Sequence, residues 1–584
     1  MHDLLIKGAR VVDGTGAPAA VADVAIKDGL IVETGRVTGA ANETIDADGL
    51  LLTPGWVDIH THYDGQVTWD PLLTPSIWHG VTTVVMGNCG VGFAPAAPDR
   101  HDWLLGLMEG VEDIPGSALA AGIKWEWETF PEYLDALDRM PRALDVAAQI
   151  GHGAIRAYVM GERAHDELAT PQDIDAESRV VREAMAAGAA GLSTSRSLLH
   201  LDTSGDLVPG TFAGEDELQA LAGELAAAGH GVFEMTIRGM SGFDAAGPPS
   251  EIQWMHRISK STGCPITFLL GQAHDYPDVW RNVLDACDVA AADGARIYPQ
   301  VFGRPTNYLF TLAGIHPFFR YPAFAEIASL PHAEMVAIMR DPSFKARLLA
   351  QSDPNDDAFN NILKTAWAGS YDLGDPLDYE PDPASSIAAQ AKATNRDPAD
   401  LGYDRLLADD GRAVLYFTAF NYADGDLETV REMLVHPQTV LGGSDAGAHV
   451  TYICDASVPT FMLTHWARDR ARGAKLPLEW LVRKQTLDNA ALYGFHDRGA
   501  IKPGLRADLN LIDFDQLRLE TPYFVNDLPA DATRLMQKAR GYEATIVGGQ
   551  VVQRNGEETG ARPGRLVRST SDGPRYTPRE RMAR

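Results

Sequence analysis

The sequence predicts an α/β fold: a (β/α)8 TIM barrel, a small β-sandwich domain formed by the N- and C-terminal segments, and an inserted subdomain. Two observations support this prediction. The middle of the chain alternates short buried-strand runs with helical patterns, which is typical of a parallel barrel. Both ends instead alternate apolar and polar residues between Gly and Asp, which is typical of short antiparallel strands. A chain of 584 residues is long enough for both parts.

The two ends of the chain are predicted to build one β domain. The alternating pattern covers residues 3–53 and returns at 507–513 and 544–556. We therefore assign 1–53 together with 498–568 to the β-sandwich domain.

The barrel is assigned to residues 54–497. Within it, residues 303–437 are assigned to an insertion or lid, because this stretch is rich in Pro, aromatic and Asp residues and lacks the regular succession of strand patterns. Residues 569–584 are polar and basic and are predicted to be a tail. The predicted barrel strands are 55–60, 82–88, 191–194, 231–237, 265–270 and 439–445, and the predicted helices are 175–187, 215–228, 277–292 and 478–493.

Composition excludes several classes of protein. The formal net charge of −30 disfavours binding to nucleic acid, because a phosphate backbone is repelled by an acidic surface. No window approaches 18 consecutive apolar residues, and the N-terminus lacks the apolar core of a signal peptide, so we expect a cytoplasmic protein without a membrane span. Four cysteines in this length form neither a disulfide framework nor a paired zinc motif.

The segment PGWVDIHTHYD (54–64) carries the strongest chemical signal. An apolar strand ends in His60 and His62, and residues two apart in a strand face the same side. At the C-terminal end of a barrel strand, the two imidazoles become metal ligands in the mouth of the barrel. Taken alone, the pair is equally consistent with two surface histidines.

Two further residues follow predicted strands. Asp445 in GSDAGAH (443–449) is placed to bind a metal and to exchange a proton with water, although Asp is also common in turns. Cys89 follows a strand among glycines, where a thiolate is a good zinc ligand and an inert buried thiol is the alternative.

Together these segments resemble the amidohydrolase superfamily and, within it, the D-aminoacylase (N-acyl-D-amino-acid deacylase) family. The resemblance rests on the strand-1 His-x-His pair, the GNCG cysteine segment, the GSDAGAH aspartate and RGAIKPGLRADLNLID at 498–513. GHGAIR (151–156), GLSTSR with PGTFA (209–213), and TGARPGRLVR (559–568) resemble further family segments.

The resemblance implies a distorted barrel with a zinc site. It implies one metal position at His60, His62 and Asp445, and a second at Cys89 with two histidines from strands 5 and 6. One zinc ion is therefore expected and a second is left open.

The sequence departs from the family at those two histidines. Glu234 stands at the strand-5 position, and strand 6 offers Leu269 or Leu270, with no histidine before His274. Glu234 is therefore a candidate oxygen ligand, with Gln272 or His274 as further candidates, and a single-metal site is the alternative.

Four residues are candidates for binding substrate. Arg196 and Arg304 are possible clamps for a carboxylate, since a guanidinium binds carboxylate through two hydrogen bonds, whereas a surface salt bridge is the alternative. His152 and His449 are candidates near the site or plain structural histidines.

We therefore expect a metal-dependent hydrolase of a non-peptide amide bond in a small molecule, with an N-acyl-(D-)amino acid as the first candidate substrate and Asp445 as general base and acid. Alternatives are a cyclic amide, a peptide-like amide, an ester or a lactone, and a catalytically inactive barrel scaffold. A homo-oligomer is left open.

Overall fold

The structure is a computed structural model that describes residues 1–239, 246–355, 358–375, 377–571 and 576–577. Most of the predicted tail at 569–584 lies outside the described residues. In the described part of the chain, no helix combines the length and apolar character needed to cross a bilayer.

Eight parallel strands form the barrel that the sequence predicted. Each strand pairs in parallel with the next along the chain. A parallel bridge between Thr61 and Ala446 joins the first strand to the last and closes the ring. The strands are β1 (Trp56–Asp58), β2 (Val81–Met86), β3 (Asp145–Gly151), β4 (Gly191–Ser195), β5 (Val232–Thr236), β6 (Ile266–Leu270), β7 (Ile297–Val301) and β8 (Val440–Leu441).

Strands β3 and β7 were not predicted as strand runs. Their sequences, DVAAQIG and IYPQV, contain Ala, Gln and Pro, which have low β propensity. Both strands are fully buried, so tertiary packing outweighs their weak local preference.

Helices cover the outside of the barrel. Several begin with strong local signals: Thr170 caps Pro171–Ala186 in a reciprocal capping box with Asp173. The predicted helix 478–493 is divided at Thr486, whose φ of −125° is not helical. The helices flanking the barrel are His101–Glu112, Gly116–Gly122, Phe130–Arg139, His152–Met160, Pro171–Ala186, Glu215–Ala228, Gly247–Thr262, Val279–Ala292, Glu428–Val435, Val458–Phe461, Leu478–Gln485 and Leu487–Leu492, with a π-helix at Met462–Asp469.

The insertion after β7 forms its own small α/β layer. Leu415–Phe420 is the central strand of an antiparallel sheet, between Thr306–Phe310 and Ser370–Asp372. Phe310 and Phe417 stack in its apolar core. The helix Glu428–Val435 lies inside the predicted 303–437 range but packs with the barrel core. The helices of the insertion are Pro322–Ala325, His332–Met339, Pro342–Leu349, Ala358–Lys364, Ile387–Ala393, Pro398–Leu406 and Ala408–Gly411.

The two chain ends share one β unit of nine strands. Leu51–Pro54 pairs antiparallel with Leu509–Ile512, which joins the N-terminal and C-terminal strands. A register shift between Ile6 and Ala9 divides the first strand between two neighbours. The strands are His2–Val11, Ala20–Lys27, Leu30–Gly35, Ala41–Asp46, Leu51–Pro54, Leu509–Ile512, Tyr542–Val547, Gln550–Arg554 and Glu557–Glu558, and two short pairs lie beside them: Arg518–Leu519 with Ala539–Arg540, and Tyr523–Asn526 with Thr533–Met536.

Candidate metal centre

Strand β1 delivers His60 and His62 to the C-terminal mouth of the barrel. Both side chains are buried, and their ring centroids lie 5.4 Å apart. The backbone N–H of His60 donates to Asp58 Oδ1 at 3.2 Å, and Ser444 Oγ donates to Asp58 Oδ2 at 2.6 Å. Asp58 thereby ties the end of β1 to the loop that follows β8.

Asp445 and Cys89 converge on the same two histidines. His60 Nε2 lies 3.3 Å from Asp445 Oδ1 and 3.4 Å from Cys89 Sγ, and His62 Nε2 lies 3.8 Å from Asp445 Oδ1. Cys89 and Asp445 have φ values of 55° and 46°. Such left-handed backbone is uncommon for these residues and often occurs at functional sites.

Glu234 reaches the same cluster from β5. Its Oε2 accepts a hydrogen bond from the backbone N–H of Cys89 at 2.9 Å, and its Oε1 lies 3.7 Å from His60 Nδ1. Burial raises the pKa of Glu234 to about 8, and the nearby charge of Asp445 adds to this. The carboxyl group therefore lies inside the cluster, where a nearby cation would favour its charged form.

Gln300, on β7, orients His60. Its Oε1 lies 3.2 Å from His60 Nδ1, so the neutral ring is expected to carry its proton on Nδ1. The lone pair on Nε2 then points toward Cys89 and Asp445. Sequence reasoning missed this residue because β7 itself was not recognised.

The donor atoms fit a divalent ion such as zinc. One ligand atom each from His60, His62 and Cys89 lies within 4.8 Å of the others. Within the described residues, Asp445 Oδ1 and Glu234 Oε1 are buried without a hydrogen-bond partner. Burial lowers the pKa of His60 to about 4 and of His62 to about 3, which keeps their lone pairs available. Imidazole nitrogen, thiolate sulphur and carboxylate oxygen are the donors that zinc prefers.

A cavity of about 720 Å³ opens beside Asp445. Its walls come from the barrel mouth and from the insertion, and they mix aromatic, aliphatic and polar side chains. This volume lies within the range of small-molecule sites. Residues lining it include Asp445, His449, Tyr452, Leu269, Tyr308 and Arg320.

His449 is the one predicted substrate residue that lines this cavity. Its Nδ1 lies 2.8 Å from the hydroxyl of Tyr452, and its Nε2 lies 3.7 Å from Glu112 Oε2. Burial lowers the pKa of His449 to about 4. A neutral His449 thus faces the cavity four residues after Asp445.

Arg196 and Arg304 are placed elsewhere. Arg196 Nε donates to Glu251 Oε2 at 2.6 Å, and Arg304 donates to Asp455 Oδ1 at 2.7 Å while lying over the ring of Tyr379. Neither is among the described residues that line the cavity. Their guanidinium groups form ion pairs inside the protein rather than the surface salt bridges that were the alternative.

Strand β6 places no nitrogen or oxygen ligand in the cluster. Leu269 lines the cavity as an apolar wall, and Leu270 is buried. Gln272 Nε2 donates to Asp424 at 2.8 Å, and His274 Nε2 lies 2.9 Å from the carbonyl oxygen of Thr418. Neither side chain reaches the metal cluster, so of the replacement ligands considered only Glu234 lies in it.

His152 belongs to a separate buried network behind β4. Its Nε2 lies 2.9 Å from Glu217 Oε1, which also accepts from Arg156. Glu177 completes the group, and burial together with the charge of Glu217 raises the pKa of Glu177. This geometry points to a structural role for His152.

We expect Glu177→Gln to stabilise the protein more at pH 8 than at pH 5. A carboxyl group with a raised pKa stays protonated in the folded state while the unfolded chain ionises above pH 4–5, so rising pH favours unfolding until that raised pKa is passed. Glutamine removes this cost, and the thermal midpoint should rise by on the order of 2 °C at pH 8 and less at pH 5. The control is Glu183→Gln, an exposed residue of the same helix. An equal shift at both pH values would contradict the assignment.

Two other residues of the site were not anticipated. Glu112, at the C-terminal end of His101–Glu112, is buried with Oε1 3.3 Å from His62 Nδ1. His200 lies on a loop at the cavity wall, with Nδ1 2.9 Å from Ser195 Oγ. Neither sits at a strand end or in a recognisable spacing, so only the fold brings them to the site.

The sequence matches known proteins over most of its length. Residues 43–553 match the amidohydrolase family. An N-acyl-D-aspartate deacylase of Alcaligenes xylosoxydans xylosoxydans is 28% identical over 572 residues, which cover 97% of this chain and 95% of that protein. A D-aminoacylase of the same organism is 37% identical over 193 residues, 33% of this chain and 37% of that protein.

The fold is also found among solved structures. The N-acyl-D-glutamate deacylase of Bordetella bronchiseptica, solved with zinc and a phosphonate inhibitor, has a TM-score of 0.64 and 22% identity. The match covers 97% of this chain and all of that chain. At this identity the comparison shows a shared overall fold.

Proposed function

Because the chain belongs to the amidohydrolase family, we propose that it is a metal-dependent hydrolase that cleaves the amide bond of N-acyl-D-amino acids. The observation that carries the proposal is the convergence of His60, His62 and Asp445 at the barrel mouth, beside a cavity of about 720 Å³. The substrate class follows the deacylases to which the chain is similar.

We place the principal metal position at His60, His62 and Asp445, and we infer zinc from the donor set. Cys89 Sγ lies 3.4 Å from the same Nε2 atom of His60, and Glu234 offers an oxygen 3.7 Å from His60 Nδ1. Strand β6 adds the apolar Leu269. The second metal position therefore has fewer ligands than the principal one. This difference supports one tightly held ion, with Cys89 and Glu234 as donors for a second ion that is bound more weakly.

Asp445 performs the proton transfers in this proposal. A divalent ion bound here supplies a Lewis acid that acidifies water and polarises the substrate carbonyl. Asp445, whose side chain is 14% exposed toward the cavity, accepts the proton of the attacking water. The same carboxyl group then delivers that proton to the leaving nitrogen as the C–N bond breaks.

The cavity wall orients the substrate. The hydroxyl of Tyr452 and the ring of His449 lie 2.8 Å apart on the wall and offer hydrogen bonds to the acyl or carboxylate oxygens. Leu269 and Tyr308 offer apolar contact on the barrel and insertion sides. We therefore place the scissile amide between Asp445 and His449.

The test combines metal stoichiometry with a hydrolysis screen of the purified protein. We expect about one tightly held zinc per chain and turnover of N-acyl-D-amino acids in preference to N-acyl-L-amino acids, cyclic amides, esters and lactones. Turnover confined to a cyclic amide, ester or lactone would replace the proposed substrate. Metal content below about half an equivalent, without turnover, would favour an inactive scaffold.

A further inference from the structure

Glu112 lies between His62 and His449. Its Oε1 lies 3.3 Å from His62 Nδ1, and its Oε2 lies 3.7 Å from His449 Nε2. The backbone N–H of His449 also donates to the carbonyl oxygen of Glu112. One residue thus contacts a proposed metal ligand and a cavity-lining histidine through separate atoms.

The facing atoms of Glu112 and His62 are both unsatisfied. Glu112 and His62 are 2% and 1% exposed, and within the described residues neither Glu112 Oε1 nor His62 Nδ1 makes a hydrogen bond. A buried polar atom without a partner is costly, and two such atoms 3.3 Å apart need only a small reorientation to pair. His62 Nε2 meanwhile points to Asp445.

We propose that Glu112 is a positioning residue that accepts the Nδ1 proton of His62 and holds His449 against the cavity wall. A carboxylate on Nδ1 fixes the tautomer in which Nε2 carries the lone pair, and it makes that nitrogen a stronger ligand. The second carboxylate oxygen holds His449 beside Asp445. The inference rests on the proposed function, because it assigns Glu112 to support that same site.

The sequence could not suggest this role. Glu112 is 50 positions from His62 and ends a helix whose preceding residues fit an ordinary amphipathic pattern. A charged residue at a helix end is usually solvated. Glu112 differs from such residues because it is buried between two histidines.

The first measurement is zinc dissociation into excess chelator from zinc-loaded protein. Loss of a carboxylate that supports a metal-binding histidine typically weakens metal binding by about 10- to 100-fold. We expect Glu112→Ala to speed zinc release by about that factor, and Glu112→Gln, which keeps an acceptor oxygen, by about 3- to 10-fold. If Glu112→Ala does not fold, Glu112→Gln decides alone.

The matched control is Glu251→Gln, which removes another buried carboxyl group that pairs with Arg196 and belongs to neither candidate metal group. It should release zinc at the wild-type rate. Wild-type release from Glu112→Gln, or equally fast release from both variants, overturns the role at His62. If the wild-type protein holds no zinc at all, the proposed function fails first, so the two failures are distinguishable.

The second measurement tests the contact with His449 by a double-mutant cycle on KM for an N-acyl-D-amino acid. We expect Glu112→Gln and His449→Ala each to raise KM, and the double variant to raise it by less than the product of the two factors. Independent effects that multiply would overturn the role at His449 and leave the zinc-release result to decide the role at His62.

Discussion

Asp445→Asn is expected to lower kcat for amide hydrolysis by about 10²- to 10⁴-fold while the protein stays folded and retains its metal. Asparagine keeps the size of the side chain and one oxygen at the position 3.3 Å from His60 Nε2, but it cannot accept and return a proton. His60, His62 and Cys89 still offer three donor atoms. The measurement is steady-state kinetics together with metal content and the thermal midpoint.

The control for Asp445 is another carboxylate of the same cavity. Asp202 lines the cavity wall, and its Oδ1 accepts from the backbone N–H groups of Ser204 and Asp206, which asparagine can also satisfy. We expect Asp202→Asn to change kcat by less than about threefold, since it removes charge without removing those hydrogen bonds. If Asp445→Asn turns over near the wild-type rate, Asp445 is not the proton carrier. Equal losses in both variants would point to the charge of the cavity instead.

The parts of the fold that the sequence predicted are those with a strong local pattern. The helix Glu215–Ala228 agrees with its predicted bounds, and the β5 and β6 strands lie within one residue of theirs. A run of buried apolar residues between turn residues is a property of the local sequence, and it survives in the folded chain because both faces of a barrel strand are covered. Strand β7, with its Pro299, has no such pattern and owes its place to neighbours on both sides.

The residues of the site also differ in whether a local sequence pattern predicts their position. His60, His62 and Asp445 follow apolar strands directly, so their position could be inferred from the strands. Glu112 lies beside His62 and Gln300 beside His60 across 50 and 240 positions of the chain, and no local pattern encodes such contacts.

Arg304 shows why the sequence alone could not predict which arginine binds a substrate carboxylate. Arg304 lies shortly after the barrel strand β7. Its guanidinium group pairs with Asp455 and lies over the ring of Tyr379. An arginine forms its ion pair with a carboxylate that the tertiary fold brings near it. For Arg304 that carboxylate belongs to Asp455, which lies 151 positions away in the sequence. The spacing of charges along the chain does not contain that information.

His60→Ala is expected to remove both tightly held metal and activity. His60 Nε2 lies within 3.4 Å of both Asp445 Oδ1 and Cys89 Sγ, so it borders the principal position and the Cys89 side of the cluster. Without its imidazole, the remaining ligands cannot surround one ion with the geometry that zinc prefers. We expect metal content below about 0.1 equivalents and kcat/KM reduced by more than about 10³-fold, since metal activation of water is lost. Elemental analysis and kinetics measure the two effects.

His274→Ala is the matched control for His60→Ala. His274 is also a histidine after a barrel strand, but its Nε2 lies 2.9 Å from the carbonyl oxygen of Thr418, away from the metal cluster. It should keep the wild-type metal content. If the His60→Ala protein retains a full equivalent of zinc, the principal metal position does not depend on β1 and must instead be assigned to Cys89 and Glu234. Loss of metal from both variants would instead show that the loss is not specific to His60, and it would contradict the use of metal content as evidence that His60 is a ligand.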